Sequence, residues 1–100
     1  MSPATHQFLD SMAKRYIWWQ TPAESLRHPD RIIAQVMNLG TLEDADQLET
    51  LLAPSALIAV LHHATPGWFR PRSWSYWHYR LGLIDSQQPV PSLPARMISA

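Results

Sequence analysis

Three imidazoles, four clustered carboxylates and three arginines set among aromatic rings are the side chains of this 100-residue chain with the types and spacing to do chemistry. The imidazoles are His62, His63 and His78. Adjacent residues on a helix point about 100° apart, so His62 and His63 make poor joint ligands for one ion. No carboxylate stands at ligand spacing from them, and the chain has no cysteine to supply a thiolate. Neither a metal nor another cofactor is expected. The carboxylates Glu43, Asp44, Asp46 and Glu49 crowd one short segment. A glycosidase needs two carboxylates facing each other across a cleft, and a hydrolase needs a nucleophile beside a positioned base. Acids on a single helix read instead as its solvated face. With three glycines in all and no glycine-rich phosphate loop, the chain is not expected to be an enzyme.

The arginines Arg70, Arg72 and Arg80 lie in residues 66–83, PGWFRPRSWSYWHYRLGL, which hold three of the five Trp and no acid. Guanidinium groups alternating with rings that stack on bases suit single-stranded nucleic acid. The competing reading makes Trp74, Trp77 and Leu81 core and leaves the arginines solvated or paired with the acidic segment. Eight basic and eight acidic residues cancel, which argues against a protein devoted to neutralising phosphates. A helix-turn-helix over residues 30–52 has suitable lengths, but its second helix would present four acids to the major groove. Protein–protein contact remains. A domain this small cannot fully bury five Trp, and Trp, Tyr and Arg are the commonest interface anchors. Trp18, Trp19, Trp68, Arg70, Arg72, Tyr76 and Arg80 are the candidate partner-binding residues.

The elements that must position these groups read as helices throughout. Ser2-Pro3 is a cap and first helical residue, with Phe8, Met12 and Tyr16 on one face of a helix over about residues 3–13. On a helix Trp18 and Trp19 diverge, so one can be buried while the other is partly exposed. Thr21-Pro22-Ala23-Glu24 has the capping-box pattern and starts a single turn. A helix over residues 30–39 ends at Gly40, and Thr41 caps the next over 42–52, whose buried stripe is Leu42, Ala45, Leu48 and Leu52. Residues 55–64 form another helix. In the last, 73–81, Ser73 caps and Gly82 terminates, with Trp74, Trp77, His78 and Leu81 at i, i+3, i+4 and i+7. Pro89, Pro91 and Pro94 mark residues 85–100 as an extended or disordered tail.

These elements add up to an all-α fold, one orthogonal bundle of about five short helices over residues 1–84, followed by the tail. In it the last helix is wedged against 30–39 and 55–64. A hydrophobic content of 46% suffices for one core. The start lacks a basic segment followed by an apolar run, and the longest apolar run is far short of a membrane span, so a cytoplasmic location without membrane contact is expected.

Five segments in order, RYIWW, PDRIIAQVMNLGTLEDADQLETLL, ALIAVLHHA, a Trp/Phe turn and RSWSYWHYRLGL, carry a family resemblance. Over roughly residues 15–83 the chain resembles a family of small bacterial all-helical proteins with an aromatic RYLFW-type start and a final L-G-[IL]. Members are often encoded beside nucleotidyltransferase toxins of the AbiEii type. The matching positions are Arg15, Tyr16, Trp18, Gly40, Asp44, Leu48, Ser73, Trp77, Leu81 and Gly82. The Trp-Trp pair, the His62-His63 pair and the Pro-rich tail depart from that pattern. The resemblance implies a toxin–antitoxin role, with this chain the antitoxin-like partner that binds and restrains a toxin encoded by the adjacent gene. A nucleic-acid-binding module working through residues 68–80 is the alternative, and homodimerisation through the Trp surface a third reading.

Overall fold

In the computed structural model, which describes residues 2–94, six helices pack around one of their number and no strand forms among the described residues. They are α1 (Pro3–Tyr16), α2 (Pro22–Ser25), α3 (Pro29–Leu39), α4 (Leu42–Leu51), α5 (Pro54–His62) and α6 (Pro71–Arg80). The hub is α3, whose residues Ile32 to Met37 are all buried. Six consecutive buried residues span every side of a helix, and α1, α2, α4, α5 and α6 each pack against α3. The expected wedge of α6 against both other helices is therefore simpler: α5 and α6 each lean on α3. A radius of gyration of 13.9 Å is close to the roughly 13 Å of a 100-residue domain.

Local chemistry explains the helix starts. Five of the six have Pro in the first turn, where its missing N–H costs nothing. Ser2 and Thr21 accept the N–H of Thr5 and Glu24 respectively. At α4 Thr41 and Asp44 form a reciprocal capping box. In α6 the start differs from expectation. The helix begins at Pro71 with Arg70 as an N-cap lacking a side-chain bond, and Ser73 donates its hydroxyl to the Asn38 carbonyl. Ser73 thus ties α6 to the end of α3. The end of α6 follows expectation: Gly82 takes φ 71°, its N–H donates to Tyr79 O, and the Leu83 N–H donates to His78 O. Gly40 ends α3 for another reason. Its φ is −67°, and a Cβ there would collide with the Val36 carbonyl oxygen, so close approach excludes a side chain.

The core gathers Leu9, Met12, Ala13 and Ile17 with the hub, Leu48, Leu57, Val60, Leu61, Phe69, Trp74 and Trp77. The stripe of α1 centres on Leu9, Met12 and Ala13, with Phe8 and Tyr16 at its edge, and the helix runs three residues beyond the expected 13. Leu42 is a correction: it is 68% exposed, because α4 turns its Asp44, Ala45 and Leu48 face inward. The tail opens with a turn at 85–88, where the Gln88 N–H donates to Asp85 O, and runs without helix or strand over 89–94, docked rather than free. Trp74 donates its indole N–H to Pro91 O at 2.8 Å, and Val90 and Leu93 pack on the core. Residues 95–100 of the expected tail lie outside the described residues. No described helix is long and apolar enough to cross a membrane.

Candidate functional site

The turn between α1 and α2 does more than connect two helices. Ile17, the C-cap of α1, is buried, and its N–H donates to Ala13 O. Gln35 of the hub, buried, donates its side-chain N–H to Tyr16 O at 3.1 Å. Beyond the turn, the Ser25 hydroxyl donates to Gln20 Oε1. Between these anchors Trp18 and Trp19 are thrown outward, 78% and 54% exposed, with ring centroids 5.7 Å apart and planes at 87°. Both indoles are therefore exposed, where divergence on a helix would have let one be buried. The residues follow the end of α1, so helical spacing does not apply to them. Two adjacent exposed indoles on a braced turn form an apolar ridge.

Below the ridge lies a polar knot. Asp44 is 4% exposed and accepts the Tyr16 hydroxyl, both Arg15 Nη1 contacts and the Thr41 N–H. Burial alone would raise the Asp44 carboxyl. The Tyr16 hydroxyl, the Thr41 N–H and the Arg15 charge outweigh it and hold the group below its ordinary value. Burial, helped by the bond to Asp44, pushes the Tyr16 phenol up and keeps it a donor. Asp44 thus departs from the expected solvated acidic face. Arg15, Tyr16 and Asp44 meet here although 28 residues or more separate the first two from the third.

The remaining candidates separate. Arg80 is a structural side chain: it pairs with Asp46 at 2.7 Å and with Glu49, donates to the Tyr76 hydroxyl at 2.7 Å and lies 5.2 Å from the Trp77 ring centroid. Burial would lower its guanidinium pKa, but these bonds raise it above the ordinary value. Arg80 thus takes the arrangement of the competing reading, paired with the acids of α4, with 19% of its side chain left exposed. Arg70 and Arg72 are exposed and form no salt bridge among the described residues. Tyr76 is 45% exposed and, with Arg72 and Leu42, lines an open groove of about 310 Å³ between α6 and the α3–α4 corner. Trp68 is half-buried and packs over the Arg31 guanidinium at 5.4 Å.

His62 and His63 are exposed, whereas His78 is buried and donates Nδ1–H to Trp74 O at 2.7 Å. Among the described residues no three His, Cys, Asp or Glu gather around a point where an ion would sit. Sequence reasoning missed Arg31, which follows the His28-Pro29-Asp30 start of α3. Its meeting with Trp68, 37 positions later, leaves no local signal. Comparison with protein-family models, curated proteins and solved structures finds no match to this chain.

Proposed function

We propose that this chain is a non-enzymatic protein-interaction module whose partner covers the Trp18–Trp19 ridge. One observation carries the reading: two neighbouring indoles are mostly exposed on a turn that buried Ile17 and Gln35 hold in place. Large apolar groups grouped on a surface mark contact sites, and Trp is the residue most enriched among binding hot spots. A braced turn also loses little conformational freedom on binding. By its resemblance over residues 15–83, the chain is the antitoxin-like member of a bacterial pair, and its partner is a nucleotidyltransferase-type toxin encoded by the adjacent gene. Arg15, Tyr16 and Asp44, which the resemblance singles out, brace the end of α1 from which the ridge projects.

Co-expression with the adjacent gene product tests this. The expected result is a complex that the Trp18→Ala/Trp19→Ala variant fails to form. Absence of any complex with the wild-type chain removes the antitoxin reading, and a concentration-dependent mass of the chain alone in light scattering makes a second copy the occupant instead.

Arg70 and Arg72, exposed and free of acid partners among the described residues, favour nucleic acid as a second reading. Its mark is an affinity that falls steeply with salt, which contact through indoles lacks. Failure to shift DNA or RNA at low salt ends it.

A further inference from the structure

On the side of α3 where Trp68 packs, a second feature stands apart from the ridge. An open cleft of about 540 Å³ is lined by Gln20, Ser25, Arg27, His28, Asp30, Arg31 and their neighbours Pro29 and Trp68. The two guanidinium groups and the Trp68 indole in this lining can only donate, and Asp30 is its one carboxylate. Arg27 and Arg31 contribute guanidinium groups and form no salt bridge among the described residues, with Asp30 or any other acid. The Ser25 hydroxyl donates to Gln20 Oε1, which leaves the Gln20 amide N–H groups with no acceptor among the described residues. Arg31 Nη1 is shielded from solvent and has no hydrogen-bond partner among the described residues. A buried donor without an acceptor is costly, and more so when it is charged, so such a group requires an explanation. Burial also holds the Arg31 guanidinium below its ordinary pKa, as expected of a cation short of countercharge.

We propose that this cleft is an oxyanion site, taking the carboxylate or phosphate group of a ligand between Arg27 and Arg31. The guanidinium fork is matched to two oxygens of either group, and the Trp68 ring lies 5.4 Å from the Arg31 guanidinium beside it. Two guanidinium charges exceed the single Asp30 carboxylate, so the cleft carries net positive charge in a neutral chain. The ligand's oxygens supply the acceptor that Arg31 Nη1 lacks, and Gln20 adds an amide donor. The cleft adjoins the turn that carries the ridge, sharing Gln20 and Ser25 with it, but the proposal does not rest on any protein partner, and its test uses the chain alone.

The experiment is a titration of the ¹⁵N-labelled full chain with sodium phosphate and, separately, sodium acetate, at ionic strength held constant with sodium chloride. The Trp68 indole and the Arg31 Nε–H resonances are expected to shift and saturate in the millimolar range with at least one anion. Which anion saturates identifies a phosphate or a carboxylate as the bound group. The indoles of Trp74 and Trp77, bonded to Pro91 O and Met37 O, are expected to stay still. Arg27→Gln, at a position outside the core, is expected to weaken saturation at least fivefold and Arg31→Gln to abolish it, while Arg72→Gln on α6 leaves it unchanged. Shifts linear in both anions overturn the proposal. So does saturation that survives Arg27→Gln, and that result is decisive even if Arg31→Gln fails to fold.

Discussion

At the scale of single residues, Asp44 shows how one side chain can serve several ends. It closes the capping box of α4, accepts the Tyr16 hydroxyl and neutralises Arg15 from a buried position. Replacing it by alanine removes the reciprocal half of the capping box and leaves the Tyr16, Arg15 and Thr41 donors unpaired, so Asp44→Ala is expected to cost about 2–4 kcal/mol in denaturant unfolding. The pH dependence has a definite sign. Because the folded carboxyl is held below its unfolded value, its contribution is complete above about pH 4 and is lost as pH falls through the lowered folded value. Stability measured from pH 6 downward should therefore decline on the acid side, less steeply in Asp44→Asn. A variant with the wild-type acid limb would show that Asp44 titrates normally in the fold. Sequence alone could not place Asp44 inside. Its place among the clustered acids of α4 read as solvated, but Arg15 and Tyr16, on another helix, meet it and bury it.

At the scale of elements, most helix bounds were legible because caps and prolines act locally. Thr21, Thr41 and Gly82 do in the structure what their types suggest. The start of α6 departs from the Ser73 cap although Pro71 carried the signal, since Pro favours the first helical position as strongly as Ser favours the cap. The exposure of Leu42 was illegible for a different reason. Its helix packs on the hub through Ala45 and Leu48, and which face does so depends on the corner at Gly40. That corner is tight. Gly40→Ala must move a Cβ away from the Val36 backbone, and it is expected to lower stability by about 1–3 kcal/mol although φ is ordinary. An unchanged melting temperature would contradict the close approach. The docked tail gives a further expectation. Trp74→Phe keeps the ring but loses the bond to Pro91 O, at a cost of about 1 kcal/mol. Faster amide exchange at Val90, Ser92 and Leu93, with the helices unaffected, is the result that supports docking through that bond.

At the scale of the whole molecule, the charge separation visible in the sequence is largely consumed within the fold. Asp44 meets Arg15, and Asp46 and Glu49 meet Arg80, so the acidic helix is partly neutralised by the chain itself. Beside the dispersed acids Glu24, Asp30, Glu43 and Asp85, what stays available and grouped is the Trp18–Trp19 ridge, Tyr76 with Arg70 and Arg72, and the cleft at Arg27 and Arg31. The all-α architecture and the surplus of Trp over buried places were legible beforehand, because both follow from composition and spacing. Which Trp would be left outside was not, because Ile17 and Gln35 decide it across helices. The most direct measurement compares the wild-type chain with Trp18→Ala/Trp19→Ala in thermal unfolding and in affinity for the adjacent gene product. Exposed residues contribute little to folding, so stability should change by less than about 1 kcal/mol, while affinity falls by about 2 kcal/mol or more. Undiminished affinity in a folded double variant would contradict the ridge as the contact surface.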